Sequence, residues 1–320
     1  MKKHVTYCSL TSLMLLLIVS SCTYSQSVSN VRGTGSSGER TYNVSGFKGI
    51  EVSGGFDVTL VQGNTESVIL TVQENLLDHI TVKVENGTLR IYTRNNIWTT
   101  QPMKARITFK DMSNLKVSGG GDVISETPVN VEKLEVYVSG GGDFSSEINS
   151  DDLKFNISGG GDAEIKGKTR NYTLSVSGGG DLKSEVNAGV ISCRIAGGGD
   201  LYFRSEDKAS EADLDVNGGG NMDVKISSEK LKCSVTGGGD AILYGQAGEF
   251  EINVNGGGDV NARNLSTSIT SFRASGGSDI RVNASKELTG YISGGGDVYY
   301  SGNPEKVSID ARGGSEVHKE

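Results

Sequence analysis

In residues 134–138, Leu134, Val136 and Val138 alternate with Glu135 and Tyr137, and the alternation returns as Leu153, Phe155, Ile157 and as Tyr172, Leu174, Val176. Successive side chains leave a strand on opposite sides, so period two predicts β-strands with one face buried. Each run is followed by a glycine-rich corner phrase, SGGGD at residues 118–122, 139–143, 158–162, 177–181 and 293–297, with close variants elsewhere, and beyond it the alternation resumes with Phe144, Ala163 or Leu182. The last residue of the phrase serves as a marker: Asp122, Asp143, Asp162, Asp181, Asp200, Asn221, Asp240, Asp259, Asp279, Asp297 and Glu316, 18 to 21 residues apart. Apolar residues stand nine, seven and five places before most of the markers, one place after each and often three.

Self-similarity at so short a period signals stacked units that complete one another's core. The pattern predicts an all-β fold, a parallel β-solenoid (β-helix) with about 19 residues per coil, successive coils lying about 4.8 Å apart. A propeller blade of four strands needs ~40–45 residues, hence two units. Three glycines in a row permit backbone angles and close stacking that a side chain would block. About five inward aliphatic groups per coil, at ~1.5–3 kcal/mol each, offset the ordering entropy only when neighbours cover both open sides. Cys193 and Cys233 both fall seven places before their markers, with the unit of Leu214 between them. Two coils separate them by ~9.6 Å, beyond the ~7 Å limit for a disulfide, which predicts buried free thiols.

Residues 42–115 have another rhythm. Strands are predicted at 44–52, 57–61, 68–72, 80–84, 88–92 and 105–109, with Asn86-Gly87 as a hairpin turn and residues 53–57 as a degenerate corner. This segment is expected to cap a solenoid over 116–320. With 46 glycines and 35% hydrophobic residues, the chain has little bulky core material and needs such an economical interior.

The N-terminus adds a compartment. Lys2 and Lys3, the apolar run 13–19 and the small Ser20-Ser21 before Cys22 read as a signal peptide over 1–21. The residues before Cys22 resemble a lipobox, which implies cleavage there and acylation of Cys22, with 22–41 as a flexible Ser/Gly-rich tether. Loss of 1–21 takes the formal charge from −8 to −10, and no basic stripe is present to displace counterions from nucleic acid. The expected location is the bacterial cell envelope, as an outer membrane lipoprotein facing either side.

Residues 47–60, FKGIEVSGGFDVTL, followed by NGTLRI at 86–91 and the iterated SGGGD units, resemble the autotransporter-adhesin head domain, also called the GIN domain (DUF2807). The resemblance runs from about Phe47 to the C-terminus. It implies a β-solenoid envelope protein, often a lipoprotein of Bacteroidota-type bacteria, with an adhesin role and no catalytic residues.

If the markers align, Asp122, Asp143, Asp162, Asp181, Asp200, Asp240, Asp259, Asp279 and Asp297 form an outer ladder with Asn221 and Glu316. Carboxylates ~4.8 Å apart repel by roughly 0.9 kcal/mol in water and ~3.5 kcal/mol at an effective dielectric of 20. Two readings stay open. Each Asp accepts bonds from glycine amides of its own corner, or Ca2+ ions bind along the row, although known glycine-rich calcium repeats use nine-residue spacing.

No nucleophile or metal constellation can be assembled from His4, His79 and His318. Asp151-Asp152 and Glu206-Asp207 read as solvated acids, and Arg194, Arg204 and Lys225 lack acid–base geometry. Exposed Tyr137, Tyr202, Tyr299 and Tyr300 suit sugars or protein loops. The expected function is non-enzymatic binding or scaffolding with a glycan or protein ligand. The alternatives are a carbohydrate-active β-helix and a periplasmic sensor or scaffold for a membrane partner. The last unit stops part-way round a coil and exposes backbone groups, an end expected to be covered by a partner or by self-association.

Overall fold

The computed structural model describes residues 29–320. Cys22, the leader over 1–21 and the beginning of the 22–41 tether lie outside the described residues.

Between Ala163–Gly178 and Leu182–Gly197, each one continuous extended segment, stand only Gly179, Gly180 and Asp181. The two segments pair in parallel, Leu174 beside Cys193 and Val176 beside Ile195. The same register carries Cys193 to Leu214, Leu214 to Cys233, Cys233 to Ile252 and Ile252 to Phe272. The chain is therefore a parallel β-solenoid of about 11 turns. Leu134, Val136, Val138 and Phe144, taken from the places named above, are all buried.

The column seven places before the markers shows how this interior is filled. Phe272 is followed by Gly290, and a Cβ at Gly290 would stand 2.4 Å from the Phe272 ring. A cross-section of fixed size that admits a large side chain in one coil requires a small one in the next. The inward set is also wider than the apolar pattern indicated. Thr169, Ser205, Ser228 and Thr267 are buried, continuing the alternation with side chains too small or too polar to register as hydrophobic.

Cys193 and Cys233 are buried and free. Burial pushes the Cys233 thiol up to about 12, and it raises Cys193 too. Neither is expected to react with a thiol reagent in the native protein, and two are expected to titrate after denaturation; a native disulfide would contradict the register. The native state holds both thiols protonated, whereas unfolded thiols ionise near pH 8.5. Stability from this source is therefore complete below about pH 8.5 and falls as pH rises towards the raised native values.

Gly49–Ser53 and Phe56–Gln62 pair in parallel with Asn114–Gly119 and Val123–Ser125, so coil register reaches back beyond the expected boundary at 116. Thr88–Thr93 and Met103–Phe109 add one more parallel layer. Direction then reverses, because Ile80–Glu85 and Ser67–Gln73 pair with that layer antiparallel. The hairpin turns at Asn86 and Gly87, both with positive φ, 50° and 73°, as a two-residue primed turn requires. A 3-10 helix, Glu74–His79, buries Leu76 and Leu77 beneath the last layer.

The tether expectation is corrected from Asn30 onward. Asn30–Arg32 pairs in parallel with Asn96–Trp98, and Ser37–Tyr42 pairs antiparallel with Ser67–Gln73. The second of these strands, SGERTY, is mostly exposed. It is held by backbone hydrogen bonding to an otherwise open edge, which leaves no hydrophobic periodicity to read. The predicted strand 44–52 likewise begins only at Gly49. At the other end, Lys306–Gly313 and Val317–Lys319 are each paired on one side among the described strands.

Candidate functional site

The row of markers lies on the outer surface, as expected, but its hydrogen-bond partners differ from the expectation. The Asp143 backbone N–H donates to Asp122 Oδ1 at 3.0 Å, Asp162 to Asp143 at 3.0 Å, Asp181 to Asp162 at 2.9 Å and Asp200 to Asp181 at 3.1 Å. The sequence begins at Asp57, in the degenerate corner, and runs to Glu316. Glycine amides go elsewhere: Gly179 N–H donates to the Gly159 carbonyl at 2.9 Å and Gly198 to Gly178 at 2.9 Å. At the corner these N–H groups point along the solenoid axis, so each carboxylate bonds to the next coil and not to its own glycines. The following residue points the other way, Ala163 N–H donating to the Asp181 carbonyl at 2.9 Å. Each side chain thus supplies an acceptor to a marker amide that faces the preceding coil.

An acceptor is all this position needs. Asn221 receives the Asp240 N–H on Oδ1 at 3.0 Å and donates its own Nδ2 to Asp200 Oδ1 at 3.1 Å. Asp181→Asn is accordingly expected to stay within about 0.5 kcal/mol of the parent, and Asp181→Ala to cost about 1–2 kcal/mol, because it strands the Asp200 N–H. Denaturant melts would check this, and equal losses in both variants would mean that the charge itself matters. Among the described residues, no group of three or more His, Cys, Asp and Glu is placed to hold a metal ion.

Beside the row runs an open groove of about 620 Å³, with Asp143, Asp162, Asp181 and Asp200 among its lining residues and Lys183, Tyr202 and Asp223 also lining it. Tyr202, in its lining, is 42% exposed. The Arg204 guanidinium lies 3.6 Å from the Tyr202 ring centroid. Arg204 is itself anchored, Nη2 to Asp223 Oδ1 at 2.6 Å and Nη1 to the carbonyls of Phe203 and Asp223 at 2.9 Å each. The result is an aromatic face held in place by stacking on a bonded cation. Farther into the groove Glu164 sits between Lys183 and Lys166, at 3.0 and 3.1 Å. Bonds from Lys183 first, then Lys166, hold its carboxyl below the ordinary range.

The other polar residues singled out in the sequence are dispersed. Arg194 pairs with Asp215 at 2.8 Å, Lys225 with Glu206 at 2.9 Å, Lys168 with Asp207 at 2.8 Å and Arg170 with Asp151 at 3.3 Å. His79 shares a 2.9 Å hydrogen bond with Asn95 in the cap, far along the chain from His318, which stacks on Tyr299 at 4.9 Å between centroids. Tyr137 bonds to Glu135 on the face before the markers, so it does not join Tyr202. The role of Arg204 under Tyr202 could not be read from spacing alone, although a basic residue two places from an aromatic on one strand face was its available signal.

The family model described as "Putative auto-transporter adhesin, head GIN domain" matches residues 46–211 and 203–304. The chain belongs to this GIN-domain family. Three solved structures show how far the likeness extends. A "putative adhesin" from Parabacteroides merdae is 17% identical, covering 91% of this chain and 99% of its own, with a TM-score of 0.46. A "putative adhesin" from Parabacteroides distasonis is 18% identical over 91% and 100%, with a TM-score of 0.46. A "putative lipid binding protein" from the same species is 22% identical over 91% and 100%, with a TM-score of 0.38. No curated protein matches the chain. In this GIN domain the groove and the corner row from Asp57 to Asp297 lie within the residues that the family model matches, and Glu316 lies beyond them.

Proposed function

We propose that this GIN domain is a lipid-anchored, non-enzymatic envelope protein of adhesin type, which holds an extended ligand, a glycan or a protein segment, in the groove beside the corner row. The observation that carries the reading is the Tyr202 face pinned on Arg204, inside a groove that crosses successive coils and is edged by hydrogen-bond acceptors. Aromatic faces with flanking carboxylates suit sugar rings and peptide backbones alike. The family supports the binding role and the cell envelope as its place. Cys22 is the proposed acylation site. The carboxylate row is proposed to join coils, with Ca2+ having no part in it.

Retention on immobilised polysaccharides and surface proteins tests the groove. Retention that Tyr202→Ala abolishes, with the polysaccharide left at its original length, supports the reading. Shortened chains would favour the carbohydrate-active enzyme, and retention indifferent to Tyr202→Ala would remove the groove from the account. Protease shaving of intact cells separates an outward-facing adhesin from a periplasmic scaffold. Calorimetric heat on adding calcium would overturn the purely structural role of the row.

A further inference from the structure

Trp98 is the single tryptophan of the chain and is 73% exposed, more than any other large hydrophobic side chain among the described residues. It sits on a small sheet, Asn30–Arg32 paired with Asn96–Trp98, in which Val31 stands beside Ile97 and Arg32 beside Trp98. Val31 and Ile97 pack against the core. The alternation of a strand therefore turns Arg32 and Trp98 outward together. Gly33 N–H donates to the Trp98 carbonyl at 2.8 Å, and Asn75 Nδ2 donates to the Arg32 carbonyl at 2.8 Å. The pair is thus presented on a fixed platform and not on a loose loop.

Three features point to one occupant for this face. Asn30 is eight residues after Cys22, and eight residues span at most ~29 Å, so acylation of Cys22 would keep the platform within that distance of the bilayer. Residues 29–36 and 94–101 contain Arg32 and Arg94 and no acid, in a chain with 39 acidic residues. Tryptophan is favoured where an apolar body can enter lipid while its N–H stays among headgroups, and a neighbouring arginine adds attraction to anionic lipid.

We propose that the outer face of this sheet, Trp98 with Arg32, docks into the headgroup region of the lipid bilayer. The inference rests on the proposed acylation of Cys22 and adds a second, non-covalent contact to it. One acyl-chain attachment fixes position only, whereas a second contact on the rigid cap fixes orientation. The cap then faces the membrane and the stacked coils, about 11 in number, carry the far end some 50 Å from it at ~4.8 Å per coil.

The sole tryptophan makes the test direct. The full processed protein is reconstituted in vesicles of phosphatidylethanolamine and phosphatidylglycerol, with and without a lipid carrying a nitroxide at the headgroup. Mass spectrometry of the N-terminal peptide reports acylation separately. The expected result is a blue-shifted emission, quenching by the headgroup nitroxide and a several-fold fall in quenching by aqueous acrylamide, all diminished in Arg32→Glu. Acylated protein whose emission stays water-like and acrylamide-accessible would overturn the docking alone. An unacylated Cys22 would overturn the anchor and the docking together.

Discussion

Gly180→Ala is expected to destabilise the solenoid by about 3 kcal/mol or more, lowering the melting temperature by roughly 6–12 °C if the stack unfolds as one unit, while Gly179→Ala leaves it within about 0.5 kcal/mol. An added Cβ at Gly180 would stand 2.1 Å from the Gly161 carbonyl oxygen of the preceding coil, whereas at Gly179 it would meet nothing within 4 Å. Gly178 is bound twice over, because its φ of +136° excludes most L side chains and its Cβ would lie 2.1 Å from the Gly159 oxygen. The order of loss across the three alanine variants is therefore large, negligible, large. Circular dichroism melts would show it, and three equal losses would refute the close stacking of backbone on backbone at the corner. The third place admits exceptions: Ser278 occupies it in a coil of 20 residues between Asp259 and Asp279.

Val176→Asp is expected to cost more than about 4–5 kcal/mol. Val176 is 2% exposed and lies in register between Ile157 and Ile195, so the carboxylate would have aliphatic neighbours above and below. Loss of Val burial contributes ~1.5–3 kcal/mol, and desolvating the charge adds the rest. Acidification should return part of the loss by protonating the new side chain. A thermal melt superimposable on that of the parent would mean that position 176 faces water.

Much of this architecture was legible because it depends on local rules applied many times. Leu174, Val176 and Leu182 carry strand alternation in their own spacing, and ten intervals of nearly equal length leave one stacking register in which Leu174, Cys193 and Leu214 coincide. The separation of Cys193 from Cys233 and the outward Asp row follow from that register, and the hairpin at Asn86-Gly87 follows from its own turn residues. The edge strand Ser37–Tyr42 was illegible for the opposite reason, since its backbone is held and its side chains are mostly solvated. In the candidate site, Tyr202 was legible as an exposed aromatic, but its partner Arg204 was not, because the stack depends on how two side chains bend over a twisted sheet.

What the sequence determined by itself is the period, the inward and outward faces and the need for a tight corner, since alternation and glycine act within a few residues of backbone. What only the tertiary structure decided is which groups meet across coils. The Asp181 carboxylate takes the amide of Asp200 and leaves the glycines alone, only the first and third glycines are enclosed, and Trp98 is brought beside Arg32. Those meetings join residues 18 or more positions apart, and their identity is set by the direction in which each N–H or side chain points once the coils are stacked.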